Sequence, residues 1–294
     1  MKNISVIGAG TMGNGIAHVF AQHGFNVSFV DISEKALADG LEKISKNIDR
    51  QVKKGEVLEA NKAKILSSIS TFTDLAKGVC NADLVIEAVT ENPKIKIEVL
   101  KNIDAEAPQS CIIATNTSSI SITKLASSTS RPSQFIGMHF MNPVPVMPLV
   151  EVISGYATST ETLNQIVSLT EQINKKPLKS NDYPGFVANR ILMPMINEAI
   201  YTLYEGVAGV AEIDGIMKLG MAHPMGPLQL ADFIGLDVCL SILRVLHEGF
   251  GNPKYAPCPL LVNMVEAGEK GVKSGRGFYD YTHGTKDLVV AYVR

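Results

Sequence analysis

The sequence predicts an α/β fold in which a doubly wound, mostly parallel sheet is followed by a second, all-helical domain. Three observations support this fold class. A short apolar run at residues 4–7 leads directly into a glycine-rich turn. Apolar runs of strand length then alternate with stretches of helical periodicity to about residue 180, as a parallel sheet with crossover helices requires. Beyond that point the apolar spacing is helical.

The turn after the first strand contains a GxGxxG pattern at the point where a helix should begin. It consists of Gly8, Gly10 and Gly13, with Thr11 and Met12 between the last two. The first glycine permits the tight turn, the second lets the backbone approach a pyrophosphate, and the third allows close packing of helix on strand. A helix N-terminus also favours anions. The pattern therefore predicts a dinucleotide-binding sheet of the Rossmann type.

The second apolar strand, at residues 26–30, ends in Asp31. A carboxylate at this place accepts hydrogen bonds from a ribose 2′-hydroxyl, whereas a 2′-phosphate would meet like charge. We therefore expect NAD rather than NADP as the cofactor. The alternative is a glycine turn in another α/β fold, with Asp31 as a solvated strand end.

Composition excludes several classes of protein. With 294 residues, of which 46% are hydrophobic, the chain can bury a sizeable core, so a disordered protein is excluded. A net charge of -2 provides no general attraction for nucleic acid or for anionic membranes, and no apolar stretch approaches the ~20 residues of a membrane span. The cysteines are scattered without a C-x-x-C pair, which predicts no metal site and reduced thiols. The first strand begins almost at Met1 and leaves no room for a signal peptide, so we expect a cytoplasmic protein.

The elements of the first domain follow in order. Residues 35–64 predict one or two exposed helices, whose basic residues, including Arg50, Lys53 and Lys54, form either a solvated face or a phosphate-binding arm. Helical periodicity recurs at residues 93–104 and 160–174. Further strands are expected at residues 65–72, 83–89, 111–115, 135–140, 149–153 and 177–180.

Polar residues gather where these strands end, which is the edge at which open α/β sheets bind ligands. His139 is the best candidate for a general base, because it lies near the carboxyl end of its strand and imidazole exchanges protons at neutral pH. Glu151 on the following strand could accept a hydrogen bond from one ring nitrogen, and Ser118 or Ser119 could bond the reacting oxygen. The alternative reading is a satisfied core histidine beside a simple edge charge.

A turn cluster at residues 182–186 predicts the domain boundary. The sequence therefore predicts three segments: a dinucleotide-binding domain at residues 1–183, a helical domain at residues 184–282 that binds substrate and forms the dimer, and a tail at residues 283–294. Residues 228–246 read as one helical segment that is apolar on more than one face, which is typical of a central helix or of a subunit interface.

Six motifs occur in order between residues 1 and 282. They are Gly8-x-Gly10-x-x-Gly13, Asn116-Thr117-Ser118-Ser119, the run from Gly137 to Pro143, the run from Pro184 to Arg190, the run from His223 to Pro227, and the run from Gly275 to Tyr279. Together these motifs strongly resemble the L-3-hydroxyacyl-CoA dehydrogenase family, and six separated motifs are far more specific than any one of them.

The resemblance implies a function and a set of site residues. His139 matches the catalytic base, Glu151 the carboxylate paired with it, and Ser118 and Asn189 the residues that bind the substrate oxygen. Beyond the glycine loop, the positions that match NAD contacts are Asp31, Glu91, Lys96, Ser118, Asn142 and Lys273. The positions that match contacts to the CoA phosphates are Arg50, Lys53 and Lys54.

The resemblance therefore implies an NAD-dependent oxidoreductase that interconverts L-3-hydroxyacyl-CoA, in particular the 3-hydroxybutyryl ester, and 3-ketoacyl-CoA, and it implies a homodimer. Two other readings are open. A related fold could oxidise a hydroxy acid that lacks CoA, in the manner of L-gulonate dehydrogenases, or the chain could bind NAD without catalysis.

Overall fold

The structure is a computed structural model that describes residues 1–285 and 288–292. The chain divides into two compact units between Tyr183 and Pro184. The first unit contains an eight-stranded sheet with helices around it, and the second is helical with one small pair of strands. Among the described residues, no helix has both the length and the apolar character that crossing a bilayer requires.

The sheet of the first unit has the strand order β3-β2-β1-β4-β5-β6-β7-β8. Every neighbouring pair is parallel except β6 and β7, which run antiparallel. This architecture confirms the predicted doubly wound, mostly parallel sheet. The strands are β1 (Asn3–Ile7), β2 (Asn26–Val30), β3 (Ile69–Phe72), β4 (Leu84–Glu87), β5 (Ile112–Thr115), β6 (Phe135–Phe140), β7 (Leu149–Ser154) and β8 (Lys176–Asn181).

The helices of the first unit differ from the sequence prediction in two places. They are α1 (Thr11–Gln22), α2 (Glu34–Lys53), α3 (Glu59–Ser67), α4 (Leu75–Val79), α5 (Pro93–Glu106), α6 (Ile122–Ala126) and α7 (Thr160–Gln172). The predicted strand at residues 65–72 begins only at Ile69, because Ile65 still belongs to α3 and packs into the core. The short helices α4 and α6 are not predicted, since five residues are too few to establish a 3.6-residue period.

The core of the first unit lies on both faces of the sheet. The strands β4, β5 and β6 are buried along their whole length, which explains why they read as continuous apolar runs. Phe20 of α1 lies edge to face against Phe140 at the end of β6, with ring centroids 6.5 Å apart. Strand β8 lies at the edge of the sheet and is mostly exposed.

The glycine loop closes tightly over the end of β1. Gly8 has a φ of +105°, a conformation that glycine adopts without strain. A Cβ atom on Gly13 would lie 1.7 Å from the carbonyl oxygen of Gly8, so only glycine fits where α1 begins. Gly10 is the N-cap of α1, and a Cβ atom there would have no neighbour within 4 Å among the described residues other than Gly10 itself and the two adjoining residues.

The second unit contains five α-helices among its described residues. They are α8 (Ala188–Tyr204), α9 (Val210–Gly220), α10 (Pro227–Ile234), α11 (Leu236–Phe250) and α12 (Pro259–Glu266). The single helical segment predicted at residues 228–246 is wrong, because Gly235 has a φ of +101° and separates α10 from α11. Within the segment predicted as a tail, β10 (Val289–Val290) pairs antiparallel with β9 (Tyr279–Asp280).

Two buried aspartates organise the core of the second unit. Asp214 accepts hydrogen bonds from the backbone N–H groups of Leu228 (2.8 Å) and Gln229 (2.9 Å), which lie in the first turn of α10. Asp232 is fully buried and accepts from the backbone N–H groups of Phe278 (3.1 Å) and Tyr279 (3.0 Å). Burial raises the pKa of Asp232 to about 6, although these hydrogen bonds act to lower it.

We expect Gly13→Ala to destabilise the first unit by about 1–3 kcal/mol, because its Cβ atom would collide with the backbone of Gly8. Gly10→Ala is the matched control, since its Cβ atom enters open space. Urea unfolding of both variants at neutral pH checks the prediction. Equal stability of the two variants would contradict the tight closure of the loop.

We expect the stabilising contribution of Asp232 to fall as the pH rises. In an unfolded chain an aspartate titrates near pH 3.9, so between about pH 4 and 6 the folded state keeps a proton that the unfolded state has lost. The free energy of unfolding, relative to that of Asp232→Asn, should therefore decrease by about 2–3 kcal/mol across this window. Urea unfolding of both proteins from pH 4.5 to 7 measures the difference, and a difference that does not change with pH would refute the prediction.

Candidate active site

Most of the residues predicted to act in catalysis and cofactor binding in the first unit lie at or after the carboxyl ends of neighbouring strands, and the exceptions are Lys96 in α5 and Glu151 in β7. The glycine loop follows β1, Asp31 follows β2, Glu91 follows β4 and Ser118 follows β5. His139 is the last residue but one of β6. Since these five strands are parallel neighbours, their carboxyl ends share one edge of the sheet.

Asp31 connects the glycine loop to the start of α2. The backbone N–H of Ala9 donates to Oδ2 of Asp31 (2.7 Å), and that of Ser33 donates to Oδ1 (2.9 Å). Each carboxylate oxygen can accept a further hydrogen bond, so Asp31 can still receive the hydroxyl groups of a ribose. Together with the open space beside Gly10, this donor and acceptor set fits a dinucleotide.

Glu91 binds the loop that follows β5. Its Oε1 atom accepts from the hydroxyl of Thr117 (2.6 Å) and from the backbone N–H groups of Ser118 (2.9 Å) and Ser119 (3.2 Å). Burial acts to raise the pKa of Glu91, but the charge of Lys96 and the hydrogen bonds from Thr117 and Ser118 outweigh it and lower the pKa. Glu91 is therefore ionised at neutral pH and fixes the backbone at Ser118.

Lys96 lies beneath this loop in a buried ion pair. Its Nζ atom is 2.7 Å from Oε1 of Glu87 and 3.4 Å from Oε2 of Glu91. The exposed fractions of Lys96 and Glu87 are 1% and 0%. Glu87 also accepts from the hydroxyl of Thr115 (2.7 Å) and from the backbone N–H of Val89 (2.7 Å). Lys96, which was expected to contact NAD, is thus enclosed by protein carboxylates.

Glu87 is a residue that the sequence reasoning missed. The available signal is an acidic side chain at the end of a strand whose other residues, 84–86, are all apolar and fully buried. A carboxylate in such a place requires a partner, because the cost of burying an isolated charge is large. Its partner is Lys96, nine positions later in α5.

His139 and Glu151 form a cross-strand pair. They are direct partners in the antiparallel register of β6 and β7, which brings their side chains to the same face of the sheet. Nδ1 of His139 lies 2.8 Å from Oε2 of Glu151. Both side chains are largely buried. Since a carboxylate can only accept, Nδ1 is the donor in this hydrogen bond.

Two further contacts order the loops beside His139. The backbone N–H of Phe140 donates to Oδ1 of Asn116 (2.9 Å), which ties the end of β6 to the loop after β5. After Asn142 the chain turns through a cis peptide at Pro143, and Nζ of the largely buried Lys175 donates to the carbonyl of Val144 (2.6 Å). Neither Asn116 nor Lys175 was predicted to have this role.

A cavity of about 280 Å³ lies between α1, α2 and the loop after β6. Its lining includes Thr11, Asn14, Lys43, Lys46, Arg50 and Asn142. Of the three residues expected to bind the CoA phosphates, Arg50 lines this cavity, whereas Lys53 and Lys54 lie at the C-terminal end of α2. The cavity therefore presents cationic side chains near the glycine loop.

Asn189 and Lys273 belong to the second unit. Asn189 is buried in the first turn of α8, and its backbone N–H donates to the carbonyl of Gly185 (3.1 Å). Gly185 has a φ of +73°, and a Cβ atom there would lie 2.6 Å from the side chain of Leu246. Lys273 forms an ion pair with Asp237 at 2.5 Å.

Within residues 1–285 and 288–292, no group of three or more His, Cys, Asp and Glu side chains is arranged to hold a metal ion. The four cysteines are free thiols, and all but Cys80 are buried.

Comparison with protein families gives a match to each unit. The family model described as the NAD binding domain of 3-hydroxyacyl-CoA dehydrogenase matches residues 3–183. The model described as the C-terminal domain of 3-hydroxyacyl-CoA dehydrogenase matches residues 185–281.

Several relatives resemble the chain over nearly its whole length. A probable 3-hydroxybutyryl-CoA dehydrogenase of Bacillus subtilis is 53% identical, with 97% of this chain and 99% of that protein covered. A 3-hydroxybutyryl-CoA dehydrogenase of Bradyrhizobium diazoefficiens is also 53% identical, with 96% of each chain covered. The crystal structure of an (S)-3-hydroxybutyryl-CoA dehydrogenase from Ralstonia eutropha has a TM-score of 0.93 and 50% identity, and the match covers 96% of this chain and 99% of that one.

We expect Glu87→Gln to lower the free energy of unfolding by about 3 kcal/mol or more, because it leaves the buried ammonium of Lys96 without its nearest carboxylate. Glu42→Gln breaks the exposed pair between Glu42 and Lys46 and serves as the control, for which we expect no measurable change. Urea unfolding at pH 7 compares the two. A variant at position 87 as stable as the control would show that the buried pair contributes nothing to stability.

Proposed function

Because the chain belongs to the 3-hydroxyacyl-CoA dehydrogenase family and is an NAD-dependent oxidoreductase of that family, we propose that it interconverts L-3-hydroxybutyryl-CoA and acetoacetyl-CoA, with His139 as the general acid and base. The observation that carries the residue assignment is the hydrogen bond between His139 and Glu151. It lies at the edge of the sheet where the glycine loop also ends.

His139 takes the proton of the 3-hydroxyl group when the alcohol is oxidised. Because Nδ1 donates to Glu151, the proton exchange belongs to Nε2. When bound, NAD supplies the acceptor for the hydride that leaves carbon 3. In the direction of reduction, the imidazolium of His139 returns the proton to the oxygen.

Glu151 acts on His139 and not on the substrate. Its carboxylate selects the tautomer in which Nδ1 carries a proton and stabilises the positive charge that the ring acquires. Because both side chains are largely buried, this interaction is screened less than one at the surface. Replacement of Glu151 should therefore reduce the rate through the protonation of His139.

Ser118 and Asn189 are proposed to bind the substrate oxygen and to keep it in line with the ring of His139. Two hydrogen bonds to Oε1 of Glu91 support this role for Ser118, one from its backbone N–H (2.9 Å) and one from its hydroxyl (3.2 Å), since together they fix the position of the residue. For Asn189, the support is its fixed place in the first turn of α8, beside the tightly packed Gly185.

The proposed NAD contacts divide into direct and indirect ones. The glycine loop with Thr11 and Met12, together with Asp31, Ser118 and Asn142, forms the direct set. Lys96 acts indirectly, because its ammonium is enclosed by Glu87 and Glu91 and can reach the cofactor only through the latter. Glu91 and Lys273 are the remaining proposed NAD contacts. Lys273 belongs to the second unit, where it forms an ion pair with Asp237.

The phosphates of CoA are assigned to the cationic face of α2, with Arg50, Lys53 and Lys54 as its main residues. The position of Arg50 in the lining of the cavity beside Asn142 supports this assignment. Phosphates are bound by clustered lysine and arginine side chains because each adds a charge-assisted hydrogen bond.

The remaining parts of the proposal concern assembly and location. A homodimer is proposed to form through the second unit, where Leu219 and Val207 are 91% and 72% exposed. Residues 1–183 would then bind most of the cofactor and the CoA phosphates, and residues 184–282 would complete the substrate site with Asn189 and bind the partner subunit. A cytoplasmic location agrees with the four free thiols.

An assay of NADH oxidation with acetoacetyl-CoA tests the function, with acetoacetate and NADPH as the comparison substrate and cofactor. We expect turnover with acetoacetyl-CoA, at least 100-fold less with acetoacetate, and a strong preference for NADH because of Asp31. Equal rates with acetoacetate would indicate a hydroxy-acid dehydrogenase that does not require CoA. No turnover with any 3-ketoacyl-CoA would indicate a protein that binds NAD without this catalysis.

We expect His139→Gln and Glu151→Gln to lower kcat by roughly 100- to 10,000-fold, the usual contribution of a positioned general base. The Kd for NADH, measured by the fluorescence of the bound nucleotide, should stay within threefold of the wild-type value, because neither side chain is proposed to touch the cofactor. Near-normal kcat in either variant would overturn the assignment of that residue.

A further inference from the structure

The loop that follows β5 is held at both ends by carboxylates that lie outside it. Glu91 accepts hydrogen bonds at its beginning, from Ser118 and Ser119. Asp182 accepts three at its end, where the loop enters α6. The donors are the hydroxyl of Ser121 (2.8 Å), the backbone N–H of Ile122 (3.0 Å) and the backbone N–H of Thr123 (2.8 Å). Asp182 is thus an acceptor for the N-terminus of α6 that is supplied from elsewhere in the chain.

The backbone of Asp182 is itself attached to the sheet. It directly follows β8, and its N–H donates to the carbonyl of Ser154 at the end of β7 (3.1 Å). Strand β7 carries Glu151, three residues before Ser154. The carboxylate of Asp182 therefore joins the loop of Ser118 to the strand pair that holds the partner of His139.

The N-terminus of α6 also packs closely against strands β6 and β7 of the sheet. A Cβ atom on Gly155 would lie 3.2 Å from the side chain of Ile122 and 3.3 Å from the backbone nitrogen of Thr123. A Cβ atom on Gly137 would lie 2.8 Å from Ile122. The helix thus already sits as close to β6 and β7 as glycine allows, and Asp182 opposes its movement away from them.

Asp182 also has a distinctive place along the chain. The first unit ends one residue later, at Tyr183, and the chain continues through Gly185 to Asn189 at the start of α8. The two residues proposed to bind the substrate oxygen are Ser118 and Asn189. Asp182 is hydrogen-bonded to the loop of the first and shortly precedes the second in sequence.

We propose that Asp182 is a positioning residue for the substrate oxygen: it fixes the end of the loop that carries Ser118 to the strand pair β7 and β8. The inference rests on the proposed function, in which Ser118 and Asn189 bind that oxygen. Loss of the three hydrogen bonds releases the end of the loop and displaces Ser118 from its place in line with His139. A displacement of about 1 Å at a reacting group can cost about 100-fold in rate.

The test compares Asp182→Ala and Asp182→Asn with Asp74→Ala. Asp74 caps α4 in the same unit, where it accepts from the backbone N–H of Ala76 (3.0 Å), and it belongs to no proposed binding or catalytic group. With acetoacetyl-CoA and NADH, Asp182→Ala should lower kcat by about 10- to 100-fold, with KM within threefold of wild type. Asp74→Ala should leave kcat unchanged. Asp182→Asn should fall between wild type and Asp182→Ala, because its amide keeps one acceptor oxygen.

Two measurements separate positioning from general loss of structure. The Kd for NADH should rise by no more than about threefold in Asp182→Ala, since Ser118 is only one of several proposed NAD contacts and neither the glycine loop nor Asp31 is hydrogen-bonded to Asp182. Amide hydrogen exchange should accelerate at residues 118–123 in Asp182→Ala, and not in Asp74→Ala. Ser121→Ala removes one of the three donors and should reproduce both effects in smaller measure, so the test remains available if Asp182→Ala does not fold.

The outcomes are distinct. Wild-type protein that does not reduce acetoacetyl-CoA refutes the proposed function, and the inference with it. If the wild type is active, the inference alone is refuted when kcat of Asp182→Ala lies within twofold of that of Asp74→Ala. It is also refuted when kcat of Asp182→Asn and kcat of Ser121→Ala both lie within twofold of that of Asp74→Ala. A loss of kcat that is matched by an equal loss of NADH binding shows a structural role only, and also overturns it.

Discussion

Backbone N–H groups lose their ladder partners where parallel strands end, and each such group that is buried must find another acceptor. In the first unit, carboxylates meet this requirement at the edge of the sheet that carries the candidate site. Asp31 accepts from Ala9 and Ser33, Glu87 from Val89, and Glu91 from Ser118 and Ser119. Asp182, at the end of the antiparallel strand β8, accepts from Ile122 and Thr123 in the same way. The loops that would hold cofactor and substrate are therefore fixed by side chains before any ligand binds, which reduces the entropy that binding must overcome.

This solution has an electrostatic consequence, because the same edge must receive an anionic dinucleotide and an anionic acyl-CoA. Three carboxylates at this edge have a basic partner: Lys96 offsets Glu87 and Glu91, and His139 is the partner of Glu151. Asp31 accepts two backbone hydrogen bonds and keeps acceptor capacity for a ribose. The N-terminus of α1 and the basic residues of α2 then supply the positive potential toward the ligands. The arrangement explains how a site rich in acidic side chains can accept phosphates.

Much of the fold and part of the site were predictable from residue patterns. The strand-turn-helix order around Gly8, the apolar runs of β4 to β6 and the edge strand at Pro177 all follow from local periodicity and from the stereochemistry of glycine and proline. Prediction failed where a single backbone conformation interrupts a periodic stretch, as at Gly235, and where an element is too short to show a period, as in α4 and α6. The buried role of Glu87 escaped because its partner lies in a different element.

The sequence by itself determined the fold class, the dinucleotide loop and, through six ordered motifs, the family, since these depend on residue types at fixed local spacing. Only the tertiary structure decided which side chains meet. The antiparallel register of β6 and β7 sets His139 opposite Glu151, and a shift of that register by one residue would turn the glutamate to the other face. Likewise, the contacts of Asp182 with α6 and of Glu91 with the Ser118 loop join segments far apart in the chain. No local pattern encodes such contacts, because they arise from strand order and packing.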